Sequence, residues 1–181
     1  MSRLTTPTPD AAPAASRPLL DGIFKKLGVV PNLYRVVSLS PAALEGLLGL
    51  GAALSKTLDV KTRERIAIAV AEVNGCDYCL SAHTYLALNL AKITPEDAAL
   101  NQKGGSTDAK ADAAVRFAVK VAERRGNVSD ADLAAVKAAG FSEAQVVDIV
   151  GLVAENVFTN FVNNVAETEI DFPVLHTAQA A

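Results

Sequence analysis

Apolar residues recur at helical spacing from Leu19 almost to the end of this chain of 181 residues. They return every three or four positions, and no segment of the sequence shows the strict alternation of apolar and polar residues that marks a strand. Turn signals rich in Gly, Pro and Asn separate the apolar runs. The pattern predicts an all-α, single-domain helical bundle with helices at residues 19–27, 41–56, 60–74, 77–91, 94–102, 107–125, 129–139 and 142–165.

The first 17 residues differ from the rest in composition. They are rich in Pro, Ala, Thr and Ser, and Pro7, Pro9 and Pro13 interrupt any regular element. Such a segment buries too little apolar surface to order itself. We therefore expect a flexible N-terminal arm over residues 1–17 and one helical domain over residues 18–181, a length that suits a single core.

Charge and composition limit the classes of partner. The chain has 17 basic and 20 acidic residues, and no basic stripe interleaved with aromatic residues follows its helices, so nucleic acid is not an expected partner. No run approaches the roughly 18 uninterrupted apolar residues of a membrane span. The first residues lack a secretory signal, so a cytoplasmic location is expected. The surplus of Ala, Val and Leu over aromatic residues favours close helix packing and a homo-oligomer with apolar contacts.

The two cysteines, Cys76 and Cys79, are only three positions apart. A pair this close cannot stabilise a fold by closing a long loop, and in a reducing compartment the spacing indicates redox chemistry or metal binding. The Asn74-Gly75 pair ends one predicted helix, and the next begins near Cys76. On that helix Cys76, Cys79 and His83 occupy positions i, i+3 and i+7, so they share one face.

Two physical effects favour different cysteines as the thiol that reacts first. The helix N-terminus stabilises a thiolate at Cys76, whereas His83, one turn beyond Cys79, is placed to accept the proton of Cys79. Our working hypothesis takes Cys79 as the attacking thiol and Cys76 as the thiol that resolves its sulfenic acid into a disulfide. A carboxylate can orient His83, and spacing alone leaves Glu64 and Glu72 of the preceding helix as alternatives, with Asp59 facing elsewhere.

The complete motif is Glu64, eleven residues, Cys76-Asp77-Tyr78-Cys79, three residues, and His83. It resembles the AhpD-type motif of the alkylhydroperoxidase and carboxymuconolactone decarboxylase superfamily. The segments LGVVPNLYRVVSLSPAALEGLL and NVFTNFVNNVAETEIDFP resemble the peroxidase-related members. The resemblance implies an AhpD-like helical bundle, usually oligomeric. It also implies that Glu64 is the relay glutamate, which favours it over Glu72, with Cys76 and Cys79 as redox cysteines and His83 as the histidine.

The resemblance further implies a thiol-dependent alkylhydroperoxidase or a disulfide reductase without a cofactor. Its substrate is expected to be a hydroperoxide and its reductant a thiol or a lipoyl-type group, since AhpD proper reduces peroxiredoxin using lipoylated partners. The best-studied AhpD proteins have a histidine where this chain has Tyr78. Tyrosine is a poor base near neutral pH, so Tyr78 is expected to position other groups.

Other interpretations of the motif stay open. Two thiolates, an imidazole and a carboxylate suffice for a structural zinc site, although such sites usually join separate chain segments. The cysteines can also be two small buried apolar residues, or a redox sensor that does not turn over. A lactone decarboxylase fits poorly, because that branch of the superfamily does not depend on a CxxC pair. The remaining polar candidates, expected to be surface or structural residues, are His176, Asn160, Asn163 and Asn164.

Overall fold

The computed structural model describes residues 2–178, and within that range it contains nine α-helices and no strand. The predicted all-α class is confirmed. A short 3-10 turn, Pro9–Ala11, precedes the helices. They are α1 (Arg17–Leu27), α2 (Asn32–Val37), α3 (Pro41–Leu54), α4 (Val60–Val73), α5 (Asp77–Asn89), α6 (Pro95–Gln102), α7 (Ala109–Glu123), α8 (Asp130–Ala138) and α9 (Glu143–Ala166). Residue 1 and residues 179–181 of the predicted domain ranges lie outside the described residues.

Eight of these helices are the predicted ones, and each end lies within two residues of its expected position. Their starts have local causes, since the side chains of Ser40, Asp59, Thr94 and Ser142 each accept a backbone N–H of the first turn. The apolar pattern does not predict α2. Six residues are too few to show a helical period, and the backbone N–H of Asn32 is held by the side chain of Asp171, far along the chain.

Helix α4 lies at the centre of the fold, packed against α5, α6, α7 and α9. Ile66, Ile68 and Val70 are fully buried although they alternate along the helix, so α4 is enclosed on more than one side. The alanines between them leave room for close neighbours. Consequently the polar side chains of α4 project from a rigid, well-packed support.

Helix α9 is the one helix within residues 2–178 that is long and apolar enough to cross a membrane by length and composition. A third of its apolar window is buried inside the fold, and it packs against α2, α3, α4, α5, α7 and α8. Its buried face carries Asn156, Thr159, Asn160 and Asn163 among apolar residues. These contacts are those of a core helix in a bundle.

Residues 2–17, expected to form a flexible arm, lie along the helical body in the structure. The Arg35 guanidinium donates to the carbonyl oxygens of Thr6 and Pro7 at 3.0 and 2.8 Å. Ala12 is buried against the first helices. In the described part of this segment, regular structure before α1 is limited to the short turn Pro9–Ala11. Composition alone does not reveal the contacts that this segment makes with distant parts of the chain.

A buried ion pair joins α4 to α6. Arg65 donates to Asp97 Oδ2 through Nε at 2.9 Å and through Nη2 at 2.8 Å, and both side chains are almost completely buried. Burial disfavours the Asp97 carboxylate, but hydrogen bonds from Thr107, Arg65 and Ser106 lower its pKa overall. We expect Asp97→Ala to lower the free energy of unfolding by about 3–5 kcal/mol, because Arg65 is left buried without its counter-ion.

Urea denaturation followed by circular dichroism measures this loss. The matched control is Glu123→Ala, which removes an exposed pair with Lys120 and is expected to cost less than about 1 kcal/mol. Equal small losses for both variants would show that the buried pair does not stabilise the packing of α4 on α6.

Candidate active site

The turn between α4 and α5 places the cysteines. Gly75 adopts a left-handed conformation with φ of 60°, which glycine tolerates without steric cost, and Cys76 N donates to Ala71 O at 3.0 Å. The chain thereby reverses and starts α5 with Cys76 as its N-cap residue. Cys76 Sγ accepts the backbone N–H of Cys79 at 3.4 Å. The two sulfurs are thus held within one helical turn of each other.

Both cysteines are free thiols and both are buried. A hydrogen bond from the Cys76 thiol lowers the pKa of Cys79 to about 6, with further contributions from His83, Asn160 and Asn163 that outweigh the effect of burial. The same hydrogen bond and burial raise the pKa of Cys76. The helix N-terminus therefore does not make Cys76 the more acidic thiol, and the geometry favours Cys79 as the thiolate.

His83 and Glu64 form a pair across α5 and α4. His83 Nδ1 lies 2.9 Å from Glu64 Oε2, and both side chains are partly buried. Burial lowers the pKa of His83, but the charge and hydrogen bond of Glu64, together with Cys79, raise it overall. Glu72 lies elsewhere, since its carboxylate accepts the Ala178 backbone N–H and the Gln102 amide. Of the two alternatives, the structure brings Glu64 to His83.

A cavity of about 160 Å³ opens beside this pair, between α2, α3, α4, α5 and α9. It exceeds the roughly 30 Å³ that one water molecule occupies in the liquid, so a small organic molecule can enter it. His83 lines the cavity and lies one turn after Cys79 on the same helix. The His83 imidazole therefore borders the cavity, and its charge acts on the buried Cys79 thiol. Polar residues of the lining include Tyr34, Arg63, Glu64, His83 and Glu155.

Tyr78 lies between the cysteines in sequence but its hydroxyl points to other elements. It donates to Asp171 Oδ1 at 2.8 Å and accepts the Leu33 backbone N–H at 3.0 Å. Burial is the main cause that raises the pKa of Tyr78, so the phenol stays protonated near neutral pH. These contacts tie α5 to α2 and to the C-terminal segment, and they support the expected positioning role.

Two asparagines of α9 complete the surroundings of Cys79. Asn163 Nδ2 donates to Cys79 Sγ at 3.2 Å, and the Asn160 side chain helps to lower the pKa of that thiol. From the sequence, both asparagines are expected to have structural roles. The sequence does contain a sign of their role, since they are spaced i, i+3 in a helix that is otherwise mainly apolar. Buried amides at such positions need polar partners.

The structure does not arrange the four motif residues as a metal site. Among residues 2–178 no group of three or more His, Cys, Asp and Glu side chains is placed to hold a metal ion. His176 lies on the surface, where its Nδ1 is 2.6 Å from Asp77 Oδ2. The geometry instead provides a polarised thiol with an adjacent imidazole and carboxylate, a set suited to nucleophilic thiol chemistry.

The amide of Asn163 offers a direct test of how the thiolate is stabilised. We expect the rate of Cys79 alkylation by iodoacetamide to rise with pH, to be half-maximal near pH 6 and then to level off. Asn163→Leu should move the midpoint upward by about one to two pH units, because a hydrogen bond to a charged group contributes roughly 1.5–3 kcal/mol. Alkylation followed by mass spectrometry of the Cys79 peptide measures the midpoint.

Asn164→Leu is the matched control, since Asn164 is exposed on the same helix and donates to the Asn74 carbonyl. Its midpoint should equal that of the wild type. An unchanged midpoint in Asn163→Leu would contradict a stabilising role for this amide.

Comparison with known proteins agrees with the motif. Residues 41–124 match the carboxymuconolactone decarboxylase family. A solved structure described as an alkylhydroperoxidase AhpD core, an uncharacterized peroxidase-related protein from Ralstonia eutropha JMP134, aligns with a TM-score of 0.83 and 25% identity over 94% of this chain and 92% of that chain. No curated protein matches the sequence.

Two further solved structures are similar in fold. An uncharacterized peroxidase-related protein from Silicibacter sp. TM1040 aligns with a TM-score of 0.79 and 24% identity over 93% of this chain and 91% of that chain. The debrominase Bmp8 in complex with 2,3,4-tribromopyrrole aligns with a TM-score of 0.78 and 20% identity over 94% of each chain. The resemblance to the superfamily is confirmed, and the fold is AhpD-like.

Proposed function

We propose that this chain, which has an AhpD-like fold with a carboxymuconolactone decarboxylase family segment, is a thiol-dependent hydroperoxidase that uses Cys76 and Cys79 as its redox pair. One observation carries the proposal. The Cys79 sulfur receives a hydrogen bond from Asn163 and is polarised by Cys76, while the His83–Glu64 pair lies one turn away beside a cavity. This arrangement stabilises a thiolate and provides a group to take its proton.

The first step oxidises Cys79. His83 accepts the thiol proton, and Glu64 stabilises the resulting imidazolium through the 2.9 Å contact with Nδ1. The thiolate attacks the distal oxygen of a hydroperoxide, so an S–O bond forms and the O–O bond breaks. The inner oxygen leaves with the bonding electron pair and one proton as an alcohol. Cys79 is then a sulfenic acid, oxidised by two electrons.

The second step closes the disulfide. The Cys76 sulfur attacks the Cys79 sulfur and loses its thiol proton, while hydroxide leaves and is protonated to water. Cys76 is the N-cap residue of α5 and Cys79 lies in its first turn, so the attack needs no large movement of the backbone. A dithiol of the lipoyl type is the proposed reductant, because it restores both thiols by two exchange steps and becomes a cyclic disulfide. Homo-oligomeric assembly and a cytoplasmic location also stay proposals.

Hydroperoxide consumption tests the proposal. Wild-type protein with dihydrolipoamide should consume cumene hydroperoxide over many turnovers, and protein alkylated with iodoacetamide should not. Oxidation of the thiols without turnover for any reductant would favour the redox sensor instead. Stoichiometric zinc in protein purified without added metal would favour the structural site. Thiols that survive excess hydroperoxide would contradict the proposed function.

A further inference from the structure

Glu155 brings a second carboxyl group to the cavity beside His83. It lies in the middle of α9, is partly buried, and lines the cavity together with Glu64 and His83. Within residues 2–178 no side chain or backbone group forms a hydrogen bond or an ion pair with its carboxyl group. The guanidinium of Arg63, which lines the same cavity, donates to the carbonyl oxygens of Ser55 and Leu58. The Glu155 carboxyl group is therefore available to a molecule in the cavity.

The Glu155 carboxyl group lies close to the backbone of α3 at Gly51. A Cβ atom built on Gly51 of α3 would lie 2.6 Å from Glu155 Oε1, a separation that real Cβ atoms essentially never show. Gly51 does not have a positive φ, so backbone conformation does not require glycine here. Glycine in a helix interior is less stabilising than alanine. A methyl group at this position would make the flexible Glu155 carboxyl move from its present place in the cavity.

The surroundings of Glu155 differ from those of Glu64. Burial is the main cause that raises the pKa of Glu155, and Glu64 adds to it, whereas His83 and Arg63 act in the opposite direction. Tyr34 of α2 lines the same cavity. Glu64 accepts the hydrogen bond of His83, but Glu155 has no such partner. A buried carboxyl group without a charged partner favours its protonated form, which suits it to act as an acid.

We propose that Glu155 is the proton donor to the leaving oxygen of the hydroperoxide. This inference rests on the proposed peroxidase function. When the Cys79 thiolate takes the distal oxygen, the electron pair of the O–O bond moves to the inner oxygen. In the proposed arrangement this oxygen and its organic group occupy the cavity that Glu155 lines. The Glu155 carboxyl transfers its proton to that oxygen and becomes a carboxylate, and an alcohol is released. Solvent protons restore the acid before the next turnover.

The dependence of the rate on the leaving group tests this role. tert-Butyl hydroperoxide releases a strongly basic alkoxide and needs a proton donor, whereas peroxybenzoic acid releases weakly basic benzoate and does not. Glu155→Gln mimics the shape of the protonated carboxyl but has no acidic proton. We expect it to slow single-turnover oxidation by tert-butyl hydroperoxide about a hundredfold, the scale of general acid catalysis, and to leave the rate with peroxybenzoic acid unchanged. Alkylation of Cys79 by iodoacetamide, which needs no proton donor, should also be unchanged.

Two further variants keep the test valid even if Glu155→Gln does not fold. Gly51→Ala keeps the carboxyl but displaces it, and it should cause the same selective loss, with circular dichroism confirming the helical content. Glu45→Gln, an exposed glutamate of the same helix α3, should behave as the wild type. Equal slowing with both oxidants, or no slowing, in Glu155→Gln and Gly51→Ala would overturn this inference alone. Wild-type protein inert to both oxidants would overturn the proposed function and this inference with it.

Discussion

We expect Cys79→Ser to abolish the reaction with hydroperoxide, and Cys76→Ser to stop turnover while Cys79 can still undergo the first oxidation. The reason is the asymmetry of the two thiols. Cys79 has its pKa lowered to about 6 and receives a hydrogen bond from Asn163, whereas the pKa of Cys76 is raised. Removal of the attacking sulfur removes the covalent step itself, so the rate should fall at least about a thousandfold.

Mass spectrometry after one equivalent of cumene hydroperoxide distinguishes the two variants. Cys76→Ser should gain one oxygen at Cys79, trapped by dimedone, because no second thiol resolves the sulfenic acid. Its first oxidation should be slowed less than tenfold, because the introduced serine hydroxyl can still donate a hydrogen bond to the Cys79 sulfur. If Cys79→Ser were oxidised at Cys76 at the wild-type rate, the order of the two cysteines would be reversed.

His83→Ala should lower the rate of Cys79 oxidation at neutral pH by about 10²–10³-fold, because it removes both the proton acceptor and a positive charge near the thiolate. His83 is one of the groups that lower the pKa of Cys79, so its removal moves the pH midpoint of the rate upward. The loss should therefore shrink as the pH rises, and added imidazole should restore part of the rate. Rapid-quench oxidation over a range of pH measures both effects.

Glu64→Gln should cause a smaller loss in the same direction, since the imidazolium would lose its carboxylate but keep a hydrogen-bond acceptor. Glu72→Gln is the control on the same helix, because its carboxylate bonds with Gln102 and the C-terminal segment. A loss in His83→Ala that is the same at every pH would contradict proton transfer by this residue.

Much of the fold follows from the sequence because its causes are local. Apolar periodicity and capping residues such as Ser40 and Thr94 determine where most helices begin and end. Cys76, Cys79 and His83 also lie on one face for a local reason, since their spacing matches the period of α5. The sequence pattern does not predict helix α2, because its start depends on Asp171, which lies 139 positions from Asn32.

The candidate site depends more on long-range contacts. Spacing leaves Glu64 and Glu72 equivalent, and only the resemblance favours the residue that the structure brings to His83. Asn163 reaches Cys79 across 84 positions. Glu155 depends on the packing of α9 against α3, where Gly51 leaves room for it. None of these contacts follows from a helical period, because the period defines a face of a helix and not the neighbour against which it packs.

Rapid-quench thiol counting on the reduced wild-type protein tests the redox role of the cysteine pair most directly. Thiol reagents are the appropriate probe, since the chain has no Trp to report on the reaction by fluorescence. One equivalent of tert-butyl hydroperoxide should remove both thiols, yield one intramolecular Cys76–Cys79 disulfide and release one equivalent of alcohol. Two thiols that persist in the presence of excess hydroperoxide, in protein that is folded, would contradict a peroxidase function for this site.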